Sequence, residues 1–95
     1  MSYKKYLILI FLKVFSKEEK NILKKIGANL RKKRIASDMS QAQVAFELNT
    51  STRHYQRIEY GEINTGVVSI YKLAEILNTK PEELLLYNSE KKHFN

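Results

Sequence analysis

A chain of 95 residues makes one small domain, and with no cysteine it can form no disulfide, thiolate metal site or cysteine nucleophile. Hydrophobic residues reach 43% and aromatic residues 11%, enough for one core and too many for a disordered segment. Seventeen Lys and Arg against ten Asp and Glu leave a net charge of +7, and the excess is uneven: residues 1–60 carry thirteen basic and five acidic side chains, residues 61–95 four and five. A basic stretch of this kind is the electrostatic footprint of a polyanion binder, with a well-solvated surface as the plainer alternative.

The first element is the apolar run from Tyr6 to Leu12, preceded by Lys4 and Lys5. It is a poor signal peptide, because Lys13 interrupts it and no small-residue cleavage site follows. It is also less than half the length a membrane span needs. The β-rich Leu-Ile-Leu-Ile-Phe reads as a strand or as an added helical turn. Both faces are apolar and need covering, so residues 1–15 are expected to be an extension, with Tyr6 to Val14 a candidate contact to a second subunit.

Ser16 with Glu19 three residues on predicts a capping box opening the first helix of a domain spanning 16–87. Leu23, Ile26 and Leu30 keep helical spacing, Arg34 continues the stripe, and the helix is expected to end near Ser37. Ser40 caps a second helix, "QAQVAFEL", with Val44, Ala45 and Leu48 inward. Asn49 can take the left-handed conformation that ends it. Ser51 caps a third, "TRHYQRIEY" (52–60), with Tyr55 and Ile58 inward, and Gly61 stops that one. A fourth, "VVSIYKLAEIL", and a fifth, "PEELLLY" with Pro81 at its first position, follow before a polar tail over 88–95.

Two short helices joined by a tight turn and preceded by a basic helix suggest a helix-turn-helix, with small Ala45 allowing close approach. From Ile26 to Leu85 the chain resembles, without a gap, the phage repressor and Cro-like (XRE-type) helix-turn-helix family. The matching points are Arg34 of "RKKR", "SQxxVA" at Ser40 to Ala45, Ser51, "IExG" at Ile58 to Gly61, and "LAEIL" at Leu73 to Leu77. It departs from that pattern with Asn49 in place of a turn Gly, Tyr55 in place of a core aliphatic residue, and Thr65 where Pro is frequent.

The resemblance implies an all-α, compact, five-helix, lambda-repressor-like fold. It also implies double-stranded DNA as partner, with the third helix in the major groove. By the same carry-over Thr52, Arg53 and Arg57 match base-reading positions, with Gln56 at their edge. Arg suits guanine and the Thr methyl suits thymine. Gln41, at the start of the second helix, matches a phosphate contact; Lys33, His54, Asn64 and Thr65 are further candidates, and ordinary solvated side chains are the alternative for each. Arg34 and Glu59 match an internal ion pair.

The two histidines, His54 and His93, lack companion ligands, so no metal site is expected. Neither a catalytic constellation nor a cofactor cradle is present in the sequence, so the chain is expected to be no enzyme and to need no cofactor. One recognition helix reads only a few base pairs, so a cytoplasmic homodimer on a symmetric operator is expected. Val68, Tyr71, Leu86 and Tyr87 are candidate contacts. The rivals are an antitoxin with a small toxin partner, a restriction-modification controller, or an interaction module that has lost DNA binding.

Overall fold

The computed structural model describes the backbone of residues 2–87 and the side chains of residues 17–87. Five helices follow one another: α1 (Ser2–Ala36), α2 (Gln41–Leu48), α3 (Thr52–Glu59), α4 (Val67–Ile76) and α5 (Pro81–Leu84). No strand occurs among the described residues. The expected tail, 88–95, lies outside them.

The start of α1 decides one alternative and corrects one expectation. Of the two readings of the apolar run, strand or added helical turn, it takes the helical one, and the helix begins at Ser2 rather than after a capping box at Ser16. Neither Gly nor Pro occurs between Ser2 and Ile26 to break it. A helix satisfies its backbone groups within the segment, whereas an isolated strand would leave them unpaired. Ser16 therefore has no orphan N–H groups to cap. The expected boundary at residues 15 and 16 falls inside one continuous helix of 35 residues, about 52 Å long.

Leu30, Val44, Ala45, Tyr55, Ile58, Ile70, Leu73, Ala74, Leu77 and Leu84 form the core, with Ile26, Met39, Leu48, Ile63 and Ile76 packed against it. Ile26 and Leu30 of α1, Val44, Ala45 and Leu48 of α2, and Tyr55 and Ile58 of α3 stand in or against this core as their spacing predicts, whereas Leu23 is half-buried outside it. The fifth helix is shorter than the sequence suggests, ending at Leu84 rather than Tyr87. Beyond it the backbone is tied to α1: the Asn29 side-chain amide donates to the carbonyls of Leu84 at 3.0 Å and Leu86 at 2.9 Å.

Four helices end in the same way. Asp38, Asn49, Gly61 and Asn78 all have positive φ, at 58°, 63°, 75° and 54°. In each case the next N–H returns to a carbonyl five residues back: Met39 to Arg34, Thr50 to Ala45, Glu62 to Arg57 and Thr79 to Ala74. This double closure satisfies the carbonyls a helix leaves unpaired at its end. Three of the four positions use Asp or Asn, whose short polar side chains tolerate the left-handed region.

Candidate nucleic-acid interface

The turn between α2 and α3 is built from its two caps. Ser40 opens α2 with a reciprocal box: its Oγ accepts from the Gln43 N–H at 3.0 Å, and the Gln43 Oε1 accepts from the Ser40 N–H at 2.7 Å. Asn49 closes α2 in the left-handed conformation, and the Ser51 Oγ accepts from the His54 N–H at 3.0 Å to open α3. Two residues thus separate the closing residue of one helix from the first residue of the next, which forces a steep crossing.

Three side chains, one each from α1, α2 and α3, converge on the Glu59 carboxylate. The Arg34 Nε donates to its Oε2 at 2.6 Å and Nη2 to its Oε1 at 3.2 Å, a two-pronged pair from α1 to α3. The Tyr55 hydroxyl donates to Oε2 at 2.5 Å. The Gln41 Nε2 donates to Oε1 at 3.0 Å, and Gln41 in turn accepts from the Gln56 Nε2 at 3.1 Å. The side chains of Glu59 and Arg34 are only 1% and 12% exposed, which places this charge pair inside the domain. Arg34 also donates to the Met39 carbonyl at 3.0 Å and so holds the turn into α2.

Burial alone would raise the Glu59 carboxyl. Hydrogen bonds from Arg34, Tyr55 and Gln41 more than offset that, and the group lies below its ordinary value of 4.5. Burial, reinforced by Glu59, pushes the Tyr55 phenol well above its ordinary value. The Arg34 guanidinium is raised by its bond to Glu59. The network is therefore Arg⁺, carboxylate and neutral phenol at neutral pH.

With Tyr55, Ile58 and Glu59 inward, α3 leaves Thr52, Arg53, His54 and Arg57 exposed and Gln56 half-buried. Arg53 and Arg57 are one turn apart on the same face. Arg57 is held lightly in the free protein, its Nε 3.2 Å from the Glu62 carboxylate with both side chains about half exposed. Asn64 and Thr65 sit in the loop after α3, where the Asn64 Oδ1 accepts from the Gly66 N–H at 3.2 Å. Lys33 is not gathered with this group, because its ammonium pairs with Glu83 of α5 at 2.5 Å. The Gln41 side chain is likewise committed inward, leaving its backbone N–H at the head of α2.

Several of these roles have no reliable sequence signal. Nothing in the spacing of Gln41 and Gln56 announces an amide pair across the turn. Gly27 is another: α1 passes so close to α3 there that a Cβ would lie 2.8 Å from the Glu59 carbonyl carbon and 2.9 Å from the Ile58 oxygen. A lone Gly in a helical pattern is the only hint of such a crossing. Among the described residues no group of three or more His, Asp or Glu side chains is placed to hold a metal ion. No described helix is long and apolar enough to cross a membrane.

A family model described as "Helix-turn-helix" matches residues 30–84. Of solved structures, the restriction-modification controller protein C.AhdI from Aeromonas hydrophila is 35% identical with a TM-score of 0.65, over 68% of this chain and 94% of its own. The hypothetical transcription factor NHTF from Neisseria has a TM-score of 0.67 at 23% identity, over 77% of this chain and 84% of its own, a likeness of fold. Comparison with curated proteins finds no match. The family match covers more than half of the chain and centres on the α2–turn–α3 unit just described; the protein belongs to the XRE-type helix-turn-helix family.

Proposed function

We propose that the chain is a sequence-specific double-stranded DNA-binding transcription regulator that acts as a homodimer in the cytoplasm, with α3 of each copy in the major groove of a symmetric operator. One observation carries this reading: the exposed Thr52, Arg53 and Arg57 stand on a helix whose other face is locked to the core by Tyr55, Ile58 and Glu59. A locked helix holds such side chains at fixed positions against base edges. Arg53 and Arg57 suit the paired acceptors of guanine, and the Thr52 methyl suits a thymine methyl. The Gln41 backbone N–H, His54, Asn64 and Thr65 flank that face as phosphate contacts. Lys33 joins them only by leaving Glu83.

A two-fold dimer lets two short recognition helices read two half-sites about one helical turn apart. Exposed Val68, Tyr71 and Leu86 supply apolar surface for the second copy, and the Tyr6 to Val14 run is a further candidate. The +7 charge supports rapid, salt-sensitive association with DNA. The 35% identity to C.AhdI favours control of restriction-modification genes over toxin neutralisation as the biological setting. A methyltransferase gene beside this one would support that setting, and a toxin gene would oppose it.

Binding of labelled duplexes across salt concentrations tests the reading. Neutralising about six phosphates should weaken binding roughly 10³-fold between about 50 and 200 mM salt. Binding that stays level across that range excludes a phosphate-tracking interface.

A further inference from the structure

We propose that Gln56 reads adenine in each half-site, with the polarity of its side-chain amide fixed from inside the domain by Glu59 through Gln41. The proposal rests on α3 lying in the major groove. Its basis is a direction imposed on a chain of hydrogen bonds. An ionised carboxylate can only accept, and Glu59 is surrounded by the donors Arg34, Tyr55 and Gln41. The Gln41 amide must therefore turn its NH₂ inward, which points its Oε1 away from Glu59. That oxygen accepts from the Gln56 Nε2 at 3.1 Å, so Gln56 must turn its own NH₂ toward Gln41.

What Gln56 retains for a partner is one N–H and its carbonyl oxygen. It stands half-buried one turn beyond Thr52, on the flank of α3 beside the exposed Arg53. Adenine presents an acceptor, N7, beside a donor, the N6 amine, which is the complement of that pair. Guanine presents two acceptors, N7 and O6. It would need both N–H groups of the amide, and one of them is spent on Gln41. A phosphate offers acceptors only and leaves the Gln56 oxygen unmatched. Residue type alone lets a glutamine turn either way; the buried carboxylate removes that choice.

The test begins with sequence selection from random duplexes using the full-length protein and its Gln56→Ala and Gln41→Met variants, each checked for helical content. Binding is then measured on the selected site with the adenine replaced by guanine, by 7-deazaadenine, or by purine lacking the 6-amino group. Wild type should lose about tenfold with each replacement. Gln56→Ala should lose the preference at that position and keep the rest of the motif. Gln41→Met should still bind, with adenine-over-guanine discrimination reduced severalfold. An unchanged motif in Gln56→Ala, or guanine in its place in the wild-type motif, overturns the assignment while leaving DNA reading by α3 intact. Failure of wild type to enrich any motif overturns the DNA-reading proposal and this one with it.

Discussion

Tyr55 and Glu59 stand one helical turn apart on α3, both removed from solvent, with the phenol donating to the carboxylate at 2.5 Å. The pair explains why a tyrosine can occupy a core position of this helix. Its ring fills apolar space in the same core as Leu30 and Leu73, while its hydroxyl supplies a donor to a buried charge. Tyr55→Phe keeps the ring and removes that donor. A loss of about 1.5–3 kcal/mol in unfolding free energy is expected, read from urea titration, with the helical spectrum unchanged.

The same carboxylate makes stability depend on pH with a definite sign. Because the Glu59 carboxyl lies below its ordinary value when folded, its contribution is fully present above about pH 4.5 and is lost as pH falls through the lower folded value. Wild type should therefore destabilise on acidification below pH 4.5 more steeply than Glu59→Gln, which cannot titrate there. Denaturant titrations at several pH values check it. At neutral pH Arg34→Ala should cost about 3–5 kcal/mol, because it strands a buried charge.

Gly27 tests the close approach of α1 to α3. In an ordinary helix Gly→Ala gains roughly 1 kcal/mol. Here the added Cβ meets the backbone of Ile58 and Glu59, which cannot move aside as a flexible side chain would. Gly27→Ala should instead destabilise by about 2 kcal/mol or more in a denaturant melt. A stabilised variant would show that the two helices are further apart.

Asn49 closes α2 at φ 63°. Glycine accepts that conformation freely, whereas alanine carries a penalty of roughly 1–2 kcal/mol for it. Thermal unfolding should rank Asn49→Gly at or slightly above wild type and Asn49→Ala below it.

Arg57 is tethered to Glu62 across 3.2 Å in the free protein, a surface pair worth under about 1 kcal/mol. Glu62→Gln frees the guanidinium and removes a negative charge beside the proposed groove face. DNA affinity should rise by a few-fold at low salt, with the gain shrinking as salt is added. Reduced affinity on titrating labelled duplex would mean that Glu62 positions Arg57 for its base.

Much of this design is legible in the sequence because it is local. Ser40, Asn49, Ser51 and Gly61 act on backbone groups within a few residues, so their roles follow from residue type and spacing alone. The inward faces of α2 and α3 follow from helical periodicity. What escapes is set by tertiary approach or by competing local signals. The Ser16–Glu19 pair has the pattern of a start, yet an uninterrupted run of helix-compatible residues carries α1 past it to Ser2. Lys33 has the composition of a phosphate contact, yet Glu83, fifty residues away, pairs with it. The amide pair of Gln41 and Gln56 exists only because two helices cross over Glu59.

The most direct test of DNA reading by α3 is sequence selection from random duplexes with the purified full-length protein. The expected result is one enriched motif with two-fold symmetry, its half-sites about 10 base pairs apart centre to centre, in which Arg53→Ala and Arg57→Ala each relax particular base pairs. Recovery of no enriched sequence, or of a motif that both arginine variants leave unchanged, would contradict it.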